Sequence, residues 1–484
     1  MADLGDLLAT VGDPDDALVH EGTERSFTRA EVEASVDMLA QALVTAGVGP
    51  GHAVAVSLPN GVGIVAALFA VWRVGAVYVP VNPRLTEAEL THVMAAVQPV
   101  VAVTGPDDAR RFMVPVVSSD ADGKWWPSRT PSPGGPTQEP DVALISFTSG
   151  TTGRPKPVLL RHSGVLELLD GVIGSLRTKA DPDKAPMPNL VPVSMSLWAG
   201  IYQVLFAFRV GAAIIVLPRF TPADFADAVH HFGIRSTVLP PAAMTMLSDD
   251  ESVDDLAPLR YVRSISAPLS PLQARRFVDR FGVGVLNCWG QTEIGGEIVG
   301  WTAADWKEFG GTKLGAVGRP HRGVTVRTEE DGEIAVMTPA LGAGYADGAD
   351  LSDRLTADGW FRTGDVGRVD DDGFVWIEGR VSDMVNRGGL KVFPAEVAEV
   401  LLLDPAVADA AVVGAPDERL GEVPWAFLVA ADGHEVPDDT TLAALCREHL
   451  APYKVPVGFV TVDALPRNEI GKVLAKDLLA LVPT

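Results

Sequence analysis

The sequence predicts an α/β protein: parallel-rich sheets layered with helices over most of its length, then an antiparallel-containing part, then a small α+β unit. Three observations predict it. Short runs apolar on both faces alternate with helical periods, the pattern of parallel strands covered by helices. From position 323 to 337 the apolar residues alternate singly, as in an antiparallel sheet. Beyond Gly379-Arg380 lies a stretch of about one hundred residues, a usual domain size, with its own helices and strands. The 484 residues are too many for one simple core. Two domains are expected, 1–380 and 381–484.

In chain order, Thr28 with Glu31 forms a capping box, and Val32, Val36, Leu39 and Leu43 recur at helical spacing. A strand is expected at 53–58, a helix over 62–73 and a strand at 76–81. Thr86 with Glu89 caps the next helix, and 100–103 is another strand. The Pro/Gly/Ser/Asp-rich stretch 118–140 reads as a loop. A second α/β run follows: helix 197–208, strand 212–217, a helix over 222–232 with Pro222 in its first turn, and strands at 237–239 and 283–286. The last unit has helices at 394–403, 441–449 and 473–481 and strands at 407–413 and 425–429. No internal repeat is evident.

Composition narrows the function. Hydrophobic residues make up 47% and charged residues 21%, as in an ordinary globular protein. The formal net charge of −24 repels phosphate backbones and anionic membranes, which argues against nucleic-acid and lipid-surface binding. Only two cysteines, Cys288 and Cys446, argue for a reducing compartment without a disulfide framework. The N-terminus has no basic n-region, and apolar stretches such as 62–71 are too short to span a bilayer. A cytoplasmic protein without membrane insertion is expected.

The segment from Ser146 to Lys156 reads Ser-Phe-Thr-Ser-Gly-Thr-Thr-Gly-Arg-Pro-Lys. Small hydroxyl residues and glycines let backbone N–H groups converge on an anion, and Arg154 and Lys156 neutralise it. The apolar run 142–145 reads as a buried strand that fixes where the loop starts. A flexible linker is the bland alternative, but linkers are seldom fed by a buried strand. The loop is not a P-loop: its lysine follows Gly153 by three residues and precedes Pro157. Elsewhere, Gly61-Val62-Gly63-Ile64-Val65-Ala66 fits a dinucleotide fingerprint. However, the following strand ends in Pro80-Val81-Asn82-Pro83, with no carboxylate to hold a ribose. A helix start with small packing residues is the better reading.

Four further segments carry candidate chemistry. In Asn287-Cys288-Trp289-Gly290-Gln291-Thr292-Glu293, an aromatic at a strand end can stack on a purine and a carboxylate can hold Mg²⁺ beside phosphates. A core tryptophan and a solvated glutamate explain it equally well. In Gly359-Trp360-Phe361-Arg362-Thr363-Gly364-Asp365, the aspartate can accept from ribose hydroxyls or close an Asx turn. Gly379-Arg380, Asp383 and Arg387-Gly388-Gly389-Leu390-Lys391 sit at the domain joint, as a hinge or a plain glycine-rich linker. Pro466-Arg467-Asn468-Glu469-Ile470-Gly471-Lys472 puts a lysine on a glycine turn, where a solvated charge is the ordinary outcome.

Five such segments in this order resemble the adenylate-forming superfamily (acyl- and aryl-CoA synthetases, peptide-synthetase adenylation domains, luciferases) along essentially the whole chain. The nearest likeness is to an acyl- or aryl-CoA synthetase. The resemblance implies a barrel-like antiparallel part closing the large domain and a mobile C-terminal domain. It implies that Thr148, Ser149, Gly150, Thr151, Thr152 and Lys156 cradle the β- and γ-phosphates of ATP. Trp289 and Gly290 then take one side of adenine, and Ser266-Ala267-Pro268 the other. Thr292 touches the α-phosphate, Glu293 holds Mg²⁺, and Asp365 and Arg380 bind the ribose. Lys472 bridges the substrate carboxylate and the α-phosphate. The Gly388-Gly389 segment forms a tunnel for the CoA thiol after rotation about a hinge at Ser382. Met195, Trp198, Gly200, Ile294, Gly295 and Gly296 are expected to shape the acid pocket from their positions beside these motifs.

The chain departs from the family pattern in places. Pro157 stands where glycine is usual, which stiffens the loop exit. Met195 replaces a common histidine and suggests an apolar pocket. Ser382 replaces Asp or Lys, and Trp289 replaces the commoner Tyr. The function expected is ATP-dependent conversion of a carboxylic acid (aryl, fatty or polycyclic) to an acyl-adenylate and pyrophosphate, then acyl transfer to CoA. Alternatives are a stand-alone adenylation enzyme loading an acyl carrier protein and an enzyme retaining only the thioesterification step. A degenerate scaffold and an oxidoreductase using the Gly61 fingerprint are further readings. A homodimer is a family-level expectation.

Overall fold

The computed structural model describes residues 3–119, 125–127, 135–148, 155–176, 186–467 and 473–483. Among them the strands form five sheets. The largest runs Trp125–Pro127, Val116–Ser119, Val101–Thr104, Ala53–Ser57, Val77–Pro80, Val142–Phe147, Pro157–Arg161. Its inner strands are parallel and buried throughout, and its two outermost pairs are antiparallel. Strands apolar at every position need helices on both faces, and the long helices Arg29–Thr45 and Val62–Arg73 supply part of that cover. The first carries the expected capping box at Thr28 and Glu31, and Glu87–Val97 carries the one at Thr86 and Glu89. At the start of Val62–Arg73, Glu21 accepts the Val62 N–H at 2.7 Å. One backbone donor that a dinucleotide would need there, the Val62 N–H, thus already faces a carboxylate of the chain itself.

The second sheet positions the site. Ser236–Leu239, Tyr261–Ser264 and Gly284–Gln291 run parallel, and Gly296–Gly300 returns antiparallel. The strand expected at 283–286 extends to Gln291, because it gains an antiparallel partner where its parallel one ends. The third sheet, Thr325–Thr328, Glu333–Met337, Phe361–Val369 and Val375–Arg380, is antiparallel throughout. Bulges in two of its pairs bend it into the expected barrel-like part. A small sheet joins Asn189–Val191, Ile214–Val216, Ala17–Glu21 and Arg25–Thr28.

Beyond position 380, Val407–Asp417 and Gly421–Ala430 form a long antiparallel pair. The short strands Val385–Arg387 and Leu390–Val392 extend this sheet at one side, and Gly458–Thr461 pairs in parallel with Gly421–Ala430. Helices Pro394–Leu401 and Asp439–His449 bury Val397, Leu401, Leu442 and Cys446 in the same core as Val385, Val412 and Leu428. No helix among the described residues is long and apolar enough to cross a membrane.

Candidate active site

The phosphate-loop segment is held at both ends by one hairpin. Val142–Phe147 pairs antiparallel with Pro157–Arg161. Thr148 N–H donates to the Lys156 carbonyl at 3.0 Å, and Lys156 N–H donates to Thr148 Oγ1 at 3.1 Å. Ser149, Gly150, Thr151 and Thr152 lie outside the described residues. Pro157 opens its strand, a position where a missing donor is tolerated, and its carbonyl accepts from Ala346 N–H at 2.8 Å.

Lys156 Nζ lies 5.1 Å from the centre of the Tyr345 ring. The Tyr345 hydroxyl approaches Glu293 Oε1 at 3.5 Å, and Arg354 Nη1 reaches the same oxygen at 3.3 Å. Burial first, and the Glu293 charge second, push the Tyr345 phenol above its ordinary value. Thr292 and Glu293 occupy a single 3-10 turn, and the Glu293 carbonyl accepts from Gly342 N–H at 2.8 Å. The structure thus brings Lys156 and Glu293 together through Tyr345, with Arg354 on the same Glu293 oxygen; the sequence reading missed both Tyr345 and Arg354. No cluster of three or more His, Cys, Asp or Glu able to hold a metal occurs among the described residues. One carboxylate whose contacts among the described residues all fall on Oε1 suits Mg²⁺, which takes a few protein oxygens and fills the rest with phosphate and water.

The second group centres on Asp365, buried in Phe361–Val369. Its Oδ2 accepts from Trp289 Nε1 and from Gln291 Nε2, each at 2.8 Å. Its Oδ1 meets Arg380 Nε at 2.9 Å, the register partner on the next strand. Gln291 also donates to the Thr363 carbonyl at 2.8 Å. Three of the roughly four acceptor positions of a carboxylate are thereby engaged. The two ribose hydroxyls expected from the sequence would therefore have to share Asp365 with protein donors. Ser266, Ala267 and Pro268 follow Tyr261–Ser264, whose last residue is register partner to Asn287. They and Trp289 thus leave the carboxyl ends of neighbouring parallel strands, where α/β sheets place ligands. Ser266 holds φ at +71°, a left-handed conformation uncommon outside glycine.

The residues expected to shape the acid pocket also converge. Met195 is fully buried, and its N–H donates to Asn60 Oδ1 at 2.8 Å. A Cβ at Gly200 would sit 2.3 Å from the Ser194 carbonyl oxygen, so only glycine fits there. Trp198 donates its indole N–H to the Gly295 carbonyl at 2.9 Å, and a Cβ at Gly296 would lie 2.8 Å from Trp198 Nε1. Gly290 is pressed against the Gly296 carbonyl in the same way. Ile294 is fully buried between these glycines.

At the joint, Ser382 is exposed and its hydroxyl donates to Asp383 Oδ1 at 2.8 Å. Gly388 and Gly389 connect two short strands with φ of +60° and +91°. Positive values at both central residues make this a tight hairpin turn that favours glycine. Lys391 reaches back to the Asp331 carbonyl at 2.9 Å. Lys472 lies outside the described residues; Arg467 and Val473 on either side form an antiparallel bridge.

The chain matches known proteins over its whole length. Residues 9–346 match the AMP-binding enzyme family, and residues 396–472 match the AMP-binding enzyme C-terminal domain. A methyl-dioxo-octahydroindenyl-propanoyl:CoA ligase of Mycobacterium tuberculosis is 34% identical over 96% of this chain and 95% of its own. A feruloyl-CoA synthase of an Amycolatopsis species is 32% identical over 95% of this chain and 94% of its own. An o-succinylbenzoate CoA synthetase of Bacillus subtilis, solved with its acyl-adenylate, superposes with a TM-score of 0.85 at 25% identity, covering 99% of this chain and 98% of that one. The motifs, the fold and these matches agree: this chain belongs to the AMP-binding enzyme family of adenylate-forming enzymes.

Proposed function

We propose that this chain is an AMP-forming acid–thiol ligase that joins a carboxylic acid to CoA at the expense of ATP. A carboxylate oxygen attacks the α-phosphorus, a C–O–P mixed anhydride forms, the bond to the β-phosphate oxygen breaks and pyrophosphate leaves. The CoA thiol, losing its proton, then attacks the acyl carbon, and AMP leaves. The observation that carries this reading is the pairing of two groups: Lys156–Tyr345–Glu293–Arg354 beside the phosphate loop, and Trp289–Gln291–Asp365–Arg380 at the adjoining strand ends. The relatives named for CoA ligation support it.

The first step brings two anions together, so cations and oriented donors must lower that repulsion in the transition state. Lys156 and the loop residues 148–152 would bind the phosphates, and Lys472 would bridge the carboxylate and the α-phosphate. Thr292 would touch that phosphate from its turn. Mg²⁺, when bound, would be held by Glu293 and neutralise the departing pyrophosphate. Asp365, oriented by three donors, would take the ribose, with Trp289 against one face of the adenine and Ser266-Ala267-Pro268 along the other. Residues 381–484 would turn about Ser382 after adenylation and carry Gly388-Gly389 to the thiol. The acid is an aryl or polycyclic one, as in the two relatives' names.

Mass detection of acyl-CoA and AMP from a panel of such acids with ATP, Mg²⁺ and CoA tests the reading. Formation of both in equal amounts supports it. Acyl transfer only to a phosphopantetheinylated carrier protein, with CoA inert, would replace CoA by a carrier as acceptor.

A further inference from the structure

Two carboxylates four residues apart, Glu293 and Glu297, are met by arginine in different ways. Glu297 Oε1 accepts from Arg263 Nη1 at 2.5 Å and lies 2.7 Å from His321 Nε2, and its side chain is 8% exposed. That group is short-bonded and closed to solvent. Glu293 Oε1 meets Arg354 Nη1 at 3.3 Å, with side chains 12% and 30% exposed. A charge-assisted pair settles at about 2.7–2.9 Å, so this second contact is long. Arg354 is near enough to offset the charge of Glu293 without being locked to it, and part of its surface is open to a ligand.

Arg354 does not depend on Glu293 for its position. It ends the 3-10 turn Ser352–Arg354, and Asp350 Oδ1 caps that turn by accepting the Ser352 N–H at 2.9 Å. Arg354 Nε donates to the Arg362 carbonyl at 3.0 Å, and its guanidinium carbon lies 4.3 Å from the centre of the Phe361 ring. Both anchors belong to Phe361–Val369, the strand that carries Asp365. The guanidinium therefore spans the two halves of the site, fixed on the strand proposed for ribose and reaching Glu293 on the side proposed for phosphate. A guanidinium carries its donors in a rigid fork, so Nη1 can change acceptor while Nε and the ring contact hold. The net charge of −24 gives a polyphosphate no general attraction, so each cation in this place counts. Lys156, set over the Tyr345 ring, is the other one here.

We propose that Arg354 binds the nucleotide's phosphates beyond the α-phosphate, exchanging Glu293 Oε1 for a phosphate oxygen as Glu293 turns to Mg²⁺. This rests on the reading above that gives Mg²⁺ to Glu293 and the β- and γ-phosphates to Lys156 and its loop.

The test is titration calorimetry on the full chain with Mg²⁺, using α,β-methylene ATP, whose P–C–P bridge adenylation cannot break, and AMP, which lacks the outer phosphates. Arg354→Met keeps an unbranched stem over Phe361 and removes the charge. It weakens binding of the analogue about tenfold and of AMP by less than about twofold. Arg354→Lys, which keeps the charge without the fork, falls between the natural chain and Arg354→Met. If Arg354 served only as a partner of Glu293, its removal would leave that carboxylate to Mg²⁺, and the magnesium complex of the analogue would bind as well or better. Unchanged or tighter binding of the analogue by Arg354→Met therefore overturns the proposal, as do equal losses for both nucleotides or no binding of the analogue by the natural chain. Pyrophosphate release is read in parallel. Acid-dependent release by the natural chain, with analogue binding indifferent to Arg354→Met, sinks the proposal and keeps the reaction; the tenfold loss without any release does the reverse.

Discussion

The indole N–H of Trp289 donates to Asp365 Oδ2 at 2.8 Å, across 76 positions of sequence. This bond ties the aromatic proposed to face adenine to the carboxylate proposed to face ribose, so one tryptophan both offers a ring and orients its neighbour. Tyrosine, the commoner residue here in the resembling family, offers a hydroxyl on a shorter ring instead. Trp289→Phe keeps a stacking face and removes the donor. It should raise KM for ATP about fivefold with a smaller change in kcat, matching the loss of roughly 1 kcal/mol for one hydrogen bond. Steady-state kinetics with ATP varied check this; an unchanged KM would mean that Asp365 needs no orienting.

The Arg263–Glu297 pair is buried, with side chains 10% and 8% exposed. Removing one partner strands the other charge. Glu297→Leu should therefore destabilise the protein by about 3 kcal/mol, and Arg263→Met/Glu297→Leu should recover most of that loss. Urea unfolding of the two single variants and the double variant measures the coupling. Additive losses would show that each side chain matters for its packing alone.

The Gly388-Gly389 turn needs left-handed backbone at both positions. Alanine at either should cost about 1 kcal/mol in the turn. Under the proposed domain rotation, it should also slow acyl transfer from supplied acyl-adenylate to CoA more than it slows pyrophosphate release. Stopped-time assays of the two half-reactions separate the effects, and equal slowing of both would remove the turn from the thiol-transfer step.

How much of this was legible in the sequence depends on how far apart the partners lie. The capping boxes at Thr28 and Thr86 and the Pro222–Phe232 helix are local, three or four residues of chemistry each, and all stand where expected. The parallel core strands were legible because burial on both faces leaves continuous apolar runs. Gln291, Tyr345 and Arg354 were not, since their value lies in contacts 52 to 74 positions away. Gln291 stood inside a quoted motif and could have been marked as a second donor. The Arg263–Glu297–His321 group gave no signal, because charged residues in sequence read as solvated faces until the fold brings them inside.

His162 Nδ1 accepts the Leu4 N–H at 3.1 Å, which requires that nitrogen to be unprotonated. Burial lowers the His162 pKa from 6.5, with Asp3, Asp141 and Asp6 opposing. The unfolded chain therefore takes up this proton first as pH falls. The contribution is fully present above 6.5 and is lost as pH drops from there to the folded value. His162→Phe should lower the melting temperature at neutral pH, and its deficit should shrink as pH falls through 6.5. Melting curves across this range decide it, and a constant deficit would rule out titration of His162 as the cause.

Pyrophosphate release from ATP and Mg²⁺ with CoA omitted, across the acid panel and in Lys472→Ala beside the natural chain, tests the central claim most directly. The account predicts release that depends on the acid, continues for at least one turnover without CoA, and is abolished in the variant, while the variant still converts supplied acyl-adenylate to acyl-CoA. Absence of release with every acid, alongside conversion of supplied acyl-adenylate by the natural chain, would contradict it and leave an enzyme of the second half-reaction alone.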